Sequence, residues 1–235
     1  MTIEVLFPEV CNLCGDAQNA VYLQQTLPDA QVIETALPDR PYFADNVPDI
    51  IYMGNMSERI QRRAVETLRP FKDRLQELIG GGTVMLFTGN AGETLMKHIS
   101  YVTEKIELDG LGILDLTVKT DWFDRYNGKV LGKCGDLDVI GYRSQFSMVY
   151  GDNSQNAFLK VERGIGANRD SKYEGARVNN LFVTAVLGPI LPNNPLFTEY
   201  LISLTGTQAQ AAFREQAMAA YEQRLSEFRD PHTGF

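Results

Sequence analysis

The chain is poor in the residues from which metal and redox sites are usually built. Its 235 residues include three cysteines and only two histidines, His98 and His232. Cys11 and Cys14 form a lone C-x-x-C pair, and no second pair is present to complete a zinc site. The intervening Asn12-Leu13 differs from the aromatic-Gly-Pro turn usual in thioredoxin-like chains. A small redox or metal protein built on this pair is therefore the least favoured interpretation, and no metal or cofactor is expected.

Excess positive charge and long apolar runs are also missing. The formal net charge is −8 at pH 7, and no basic run is present that would neutralise the phosphates of a nucleic acid. No apolar stretch approaches the roughly 18 residues needed to span a membrane. The N-terminus opens on a strand-like segment and does not resemble a signal peptide. We therefore expect a cytoplasmic protein without a nucleic-acid partner.

The first half of the chain alternates between strand and helix patterns. Apolar runs at 3–7, 31–35, 50–53 and 84–87 predict strands, and residues 16–27 have the spacing of a helix. Ser57 is placed to cap a longer helix, Pro70 predicts a kink in it, and the run Gly80-Gly81-Gly82 predicts its end. This order of elements predicts a mainly parallel sheet with helices on both faces.

The second half of the chain has a different sequence pattern. Short β-like runs at 111–119, 129–131, 139–142, 157–162 and 181–186 are separated by Gly, Asn and Asp, which predicts an antiparallel extension of the sheet. A closing helix is predicted at about 207–229, with Phe213 and Tyr221 in its buried stripe. No repeat or linker is visible, so one domain covering 1–235 is expected.

The segment 84–95 is the most informative for function. Its apolar strand is followed by the turn Thr88-Gly-Asn-Ala-Gly92, and a helix is predicted to begin at Glu93. A strand, a sharp turn and a helix in this order expose a catalytic nucleophile in several enzyme folds. The residue at the predicted tip is Thr88, where a cysteine or serine would be expected.

Several blocks, in order and at matching distances, resemble the class I glutamine amidotransferases of the cobyric acid synthase type. The greatest similarity is to the glutaminase subunit of lipid II isoglutaminyl synthase. The matching blocks include Asn12-Leu-Cys-Gly-Asp16, Gly110-Leu-Gly-Ile-Leu-Asp115, Gly164-Ile-Gly-Ala-Asn168, Glu174-Gly-Ala-Arg177 and Gly188-Pro-Ile-Leu-Pro-Asn-Asn-Pro195. The resemblance implies a three-layer α/β domain whose central sheet is mainly parallel.

The resemblance also assigns positions to the family's active-site residues. The family's nucleophilic cysteine is matched by Thr88, and its basic histidine by Leu187. A further family histidine is matched by Gln145, and Arg125 falls where the isoglutaminyl synthase subunit has an arginine associated with ligand binding. Glutamine hydrolysis needs a thiolate and a proton acceptor, which a threonine and a leucine do not provide.

The resemblance therefore implies a non-catalytic binding or scaffold subunit. Relatives of this type serve amidating synthetases, so a Mur-ligase-like or other synthetase subunit is the expected partner. The alternative is an active amidotransferase or amide hydrolase with a substitute nucleophile, for which Thr88, Glu93 and Cys11 are the candidates. Glu93 would need a raised pKa, and a first-turn glutamate that stabilises the helix dipole is the simpler interpretation.

The residues around the predicted turn could still bind a ligand. The backbone N–H groups of Gly89 and Asn90 would favour a carboxylate or another anion, and Gly54 and Asn55 on the facing loop could complete such a nest. Arg125 could pair with a ligand carboxylate. The opposing expectation is a pocket that is filled by apolar side chains and binds nothing.

Overall fold

A six-stranded sheet with the strand order β13-β14-β4-β3-β1-β2 forms the frame of the protein. The computed structural model describes residues 1–232. The strands of this sheet are β1 (Thr2–Leu6), β2 (Gln31–Thr35), β3 (Ile50–Met53), β4 (Val84–Thr88), β13 (Ala176–Val178) and β14 (Leu181–Thr184). Every pairing within it is parallel except that of β13 with β14. The predicted α/β fold with a mainly parallel sheet is confirmed.

The centre of this sheet is buried on both faces. All five residues of β4 are buried, and alternate side chains enter two different cores. Met85 and Phe87 belong to one hydrophobic cluster, whereas Val84 and Leu86 belong to the other. A continuous apolar run of this kind is typical of a central parallel strand that is covered on both sides.

Six α-helices accompany the sheets in the described residues: α1 (Gln18–Thr26), α2 (Glu58–Leu68), α3 (Lys72–Gly80), α4 (Ile190–Asn193), α5 (Pro195–Ser203) and α6 (Arg214–Arg229). Ser57 caps α2, because its hydroxyl accepts a hydrogen bond from the Ile60 amide at 3.4 Å. Pro70 lies in a short 3-10 turn between α2 and α3, as its position predicted. None of the helices within residues 1–232 is long and apolar enough to cross a membrane.

The strands of the second half form two further sheets, in which every pairing is antiparallel except that of β5 with β7. In the central sheet only β13 is an antiparallel extension. The first further sheet is ordered β10-β7-β5-β6 and the second β12-β11-β8-β9. Their strands are β5 (Met96–Tyr101), β6 (Ile106–Asp109), β7 (Leu114–Thr120), β8 (Tyr126–Cys134), β9 (Leu137–Gln145), β10 (Ser147–Tyr150), β11 (Leu159–Arg163) and β12 (Tyr173–Glu174). The run predicted at 181–186 belongs to the parallel sheet instead, since β14 pairs in parallel with β4.

The helix predicted to begin at Glu93 is wrong. A 3-10 helix covers Gly89–Leu95 and leads directly into β5. The residues of β5 alternate roughly between buried and more exposed positions, which favours a strand. His98 therefore lies on a strand, where its ring nitrogens are 2.6 Å from a Glu107 oxygen and 3.0 Å from an Asp109 oxygen.

The C-terminal helix is shorter than predicted. It covers Arg214–Arg229, and Phe213 lies just before it with a φ of 51°. A residue with this left-handed backbone is not part of a right-handed helix, so the helix begins only after Phe213. The side chain of Phe213 is 67% exposed, and its assignment to the core is therefore wrong. Tyr221 is buried, as predicted, and Phe228 on the same helix is buried too.

Candidate functional site

A cavity of about 210 Å³ lies beside the turn that follows β4. In an α/β fold, the carboxyl ends of the parallel strands are the usual place for a ligand. Six of the residues selected from the sequence line this cavity: Asn55, Gly89, Asn90, Arg125, Gln145 and Leu187. Other residues that line the cavity were not assigned to a ligand site from the sequence, among them Cys14, Ser57, Glu58, Ser144, Phe146 and Ser147.

Thr88 faces the interior of the protein. It is the last residue of β4, has extended backbone angles and is fully buried. Its hydroxyl donates a hydrogen bond to the carboxyl group of Asp16 and lies 3.2 Å from the hydroxyl of Tyr52. The expected tip residue is therefore part of a buried polar cluster.

The sharp turn lies one residue further along, at Gly89. Its φ is 60°, in the left-handed region that glycine adopts most easily. A nucleophile elbow holds its reactive residue in the strained turn directly after the strand. By backbone geometry the elbow position of this chain is thus Gly89, which carries no side chain.

The expected anion nest is partly filled by the protein itself. The amide of Asn90 donates to the side-chain Oδ1 of Asn55 at 3.2 Å, so this N–H already has a partner. Gly54 is packed against the carbonyl of Cys11 and the hydroxyl of Tyr52, where an added Cβ would lie 2.4 Å and 2.9 Å from their oxygens. Asn55 acts here as an occupant of the nest, which differs from its predicted role in binding an external anion.

The side chain of Asn90 joins the turn to the facing loop. Its Oδ1 accepts from the Met56 amide at 3.0 Å, and its Nδ2 donates to the Met56 carbonyl at 2.8 Å. Gln61 on α2 adds a bond from its Nε2 to the Asn90 carbonyl at 2.8 Å. These bonds fix the relative position of the two loops that bound the cavity.

Leu187 forms part of the cavity wall. It is buried, and its backbone exchanges two hydrogen bonds with Tyr142 on β9, at 2.7 Å and 3.0 Å. Its side chain cannot take up a proton. Within residues 1–232, no histidine is among the residues lining this cavity.

Arg125 supplies a positive charge at the cavity. It lies in the connection between β7 and β8, and its Nη2 donates to the hydroxyl of Ser144 at 3.0 Å. The guanidinium also stacks over the ring of Phe146, 5.3 Å from the centroid. Glu58 lines the same cavity, and burial raises the pKa of its carboxyl group. The cavity thus combines one cation and one acid with several neutral polar groups.

Glu93 is a buried acid inside the 3-10 helix Gly89–Leu95, so its predicted role in the first turn of an α-helix is wrong. Its carboxylate accepts from the hydroxyl of Ser147 and from Nε2 of Gln61, the latter at 2.7 Å. Burial raises the pKa of Glu93 to about 7. Because both partners are held by this carboxylate, Glu93 links the 3-10 helix to α2 and β10.

The two cysteines of the C-x-x-C pair have different surroundings. Cys11 is buried with its Sγ 3.8 Å from the sulfur of Met56, and burial raises the pKa of its thiol to about 12. Cys14 is exposed, has a φ of 61° and lines the cavity, with its Sγ 3.8 Å from Nδ2 of Asn55. Cys14 is therefore the thiol at the cavity, and its place within the matched block ending at Asp16 was the available signal.

Comparisons with known proteins agree with this fold. No protein-family model matches the chain. It is 29% identical over 206 residues to the lipid II isoglutaminyl synthase (glutamine-hydrolyzing) subunit GatD of Staphylococcus aureus (strain N315). The alignment covers 86% of this chain and 83% of the relative.

Solved structures of glutamine amidotransferases have a similar fold. One of them superposes with a TM-score of 0.57 at 13% identity and covers 87% of this chain and 99% of its own. PurLQS from Thermotoga maritima gives a TM-score of 0.53 at 10% identity, with 95% of this chain and 98% of that chain covered. At these identities the likeness concerns the fold alone. The chain therefore has a glutamine amidotransferase-like fold and is related in sequence to GatD.

Proposed function

We propose that this protein is a non-catalytic glutamine amidotransferase-like subunit that binds a small carboxylate ligand and associates with an amidating synthetase. The observation that carries the proposal is the turn after β4. Its elbow residue is Gly89, and the neighbouring hydroxyl of Thr88 is bound to a buried carboxyl group. A cavity is present beside a turn that offers no nucleophile.

The chemistry of glutamine hydrolysis supports the absence of activity. The reaction needs a nucleophile next to a base, within about 3 Å. Gly89 has no attacking atom, and Leu187 on the cavity wall cannot accept a proton. The Thr88 hydroxyl has a carboxyl partner in Asp16, but both residues are fully buried and neither is among the residues that line the cavity.

The ligand is proposed from the charge and size of the cavity. Arg125 offers a guanidinium that can bind a carboxylate through two parallel hydrogen bonds. Ser144 and Phe146 hold this side chain at the cavity and restrict its rotamers. A volume of about 210 Å³ suits a small molecule and is too small for a folded partner.

The partner is proposed from the relative. GatD is by its name one subunit of a synthase, and the alignment covers most of both chains. We extend this to the present protein and propose that it associates with a synthetase that forms amide bonds, of which Mur-ligase-like enzymes are one class. The anionic surface implied by a net charge of −8 would favour a partner with a basic docking face.

A second candidate is a thiol-dependent amide hydrolase, which Cys14 favours. Its side chain is exposed at the cavity, and the thiolate form of a cysteine is a strong nucleophile. No histidine within residues 1–232 lines the cavity to activate it, so we rank this function second.

Ligand binding tests the first proposal. Glutamate, glutamine, succinate and acetate are titrated into the protein by calorimetry, with Arg125→Ala as the test variant. Arg169→Ala is the matched control, because Arg169 is a nearby exposed arginine that pairs with Asp124 and does not line the cavity. The proposal expects carboxylate binding that Arg125→Ala weakens by about 10-fold or more and Arg169→Ala leaves unchanged. Equal binding by both variants would contradict it.

A further inference from the structure

The carboxamide of Asn55 occupies the space into which a side chain at the elbow would project. A Cβ built on Gly89 would lie 2.3 Å from Oδ1, 2.5 Å from Cγ and 2.6 Å from Cβ of Asn55. Real Cβ atoms do not approach other atoms so closely, and the contacts involve the whole side chain, including its Cβ. A small rotation of the amide would therefore not clear the space.

The same carboxamide also takes the hydrogen-bond donor next to the elbow. The Asn90 amide donates to Oδ1 of Asn55 at 3.2 Å. In acyl-transfer enzymes with a nucleophile elbow, the amide after the nucleophile binds the negatively charged oxygen of the reacting carbonyl. Here an amide oxygen of the protein is bound at that donor.

Asn55 is held in this position from several directions. Its backbone amide donates to Oδ2 of Asp16 at 2.8 Å, and its carbonyl accepts from the Leu13 amide at 3.0 Å. The residue is 9% exposed. Because Oδ2 of Asp16 also accepts from Thr88, the loop that carries Asn55 and the end of β4 are fixed to one buried carboxyl oxygen.

We infer that Asn55 is the residue that determines ligand specificity in this cavity, because its own carboxamide substitutes for an acyl ligand at the elbow. A carboxylate or carbonyl ligand is excluded from the Asn90 amide. The acid group of a ligand is thereby directed to Arg125, away from the elbow. This inference deepens the proposed function and rests on it for the identity of the ligand class, but the occupancy of the elbow can be tested without any ligand.

The test combines cysteine substitutions at two glycines with removal of the Asn55 side chain. Gly89→Cys places a side chain against Asn55, whereas Gly135→Cys is the matched control. Gly135 has a φ of 58°, close to the 60° of Gly89, and an added Cβ there would have no atom within 4 Å. Both substitutions are made alone and together with Asn55→Gly, and the four variants and the parent are melted.

Gly135→Cys should lower Tm by about 2–4 °C, since it only places a side chain in a left-handed backbone. Gly89→Cys should lower Tm by about 5–15 °C, because overpacking is added to the same strain. Asn55→Gly should raise the Tm of Gly89→Cys towards that of Gly135→Cys, although it lowers the Tm of the Gly135→Cys variant. Equal melting of the two single variants, or no recovery in the double variant, would overturn the inference.

The alkylation rate of the introduced cysteine provides a second measurement, because it reports the space around the side chain and does not depend on the stability of the protein alone. Iodoacetamide labelling of the introduced thiol is followed by peptide mass spectrometry, which separates it from the native cysteines. Labelling at position 89 should be faster with Asn55→Gly than with Asn55 present, and labelling at position 135 should be the same in both backgrounds. Unchanged labelling at position 89 would contradict the inference. Elbow occupancy without carboxylate binding at Arg125 would support the position of the Asn55 side chain at the elbow and reject the proposed function.

Discussion

The hydroxyl of Thr88 and the carboxyl group of Asp16 are hydrogen-bonded to each other in the protein interior, and both residues are fully buried. The bond joins the end of β4 to the loop that follows β1. Asp16 also accepts from the Asn55 amide and from Asn19, each at 2.8 Å. Burial raises the pKa of Asp16, and the bond from Thr88 is the largest opposing effect. Thr88 therefore stabilises the fold around the cavity.

Replacing Thr88 by valine should destabilise the protein. The change keeps the shape of the side chain but removes one of the two donors to Oδ2 of Asp16 and leaves the Asn55 amide as the other, at a cost of about 1–3 kcal/mol. Thr88→Ser keeps the hydroxyl and is the control. Denaturant unfolding should show a lower free energy of unfolding for Thr88→Val than for Thr88→Ser. Since the lost bond favours the charged form of Asp16, the deficit should grow with pH as Asp16 becomes charged, and a deficit that shrinks as the pH rises would argue against this bond.

The buried carboxyl group of Glu93 should make the protein less stable as the pH rises. Its pKa is raised from 4.5 to about 7 by burial, so the folded state binds more protons than the unfolded state between these values. The contribution is fully present below pH 4.5 and is lost as the pH rises through 7, with a total of up to about 3 kcal/mol.

Glu93→Gln removes the titration and isolates this effect. The free energy of unfolding is measured from pH 5 to pH 8 for the parent, for Glu93→Gln and for Glu66→Gln, in which an exposed glutamate of α2 is changed. We expect a smaller decrease with pH in Glu93→Gln alone. A decrease equal to that of the parent would show that Glu93 is not the titrating group.

Cys14 should be the one rapidly reacting thiol of the folded protein. Cys11 and Cys134 are buried, and burial raises the pKa of both thiols. A thiol–disulfide reagent should therefore titrate about one thiol per chain quickly and the others only on unfolding. Cys14→Ser should abolish the fast phase, whereas Cys134→Ser should not. Two fast thiols would indicate that the loop with Cys11 opens.

The sequence predicted the elements with strong local signals. The buried run of β4, the capping Ser57 and the kink at Pro70 depend on neighbouring residues along the chain, and all three are present in the structure. Arg125 and Leu187, to which the resemblance assigned active-site positions, both line one cavity in the structure.

Features set by tertiary contacts were not visible in the sequence. An α-helix and a 3-10 helix after Gly89 have nearly the same apolar spacing over a single turn, so the early start of β5 was missed. The position of the elbow depends on which residue adopts a positive φ, and Gly89 rather than Thr88 does so. Phe213 looked like a core residue because periodicity does not report a left-handed backbone before a helix.

Ammonia release from glutamine shows whether the protein is catalytic. The unmodified protein is assayed alone and after alkylation, next to Cys14→Ser and to Gly89→Cys combined with Asn55→Gly and Leu187→His. We expect no release above the buffer rate from the unmodified protein, the alkylated protein and Cys14→Ser. Release from the combined variant would further show that the scaffold retains the geometry for hydrolysis. Release by the unmodified protein that alkylation or Cys14→Ser abolishes would contradict the non-catalytic assignment and identify Cys14 as a working nucleophile.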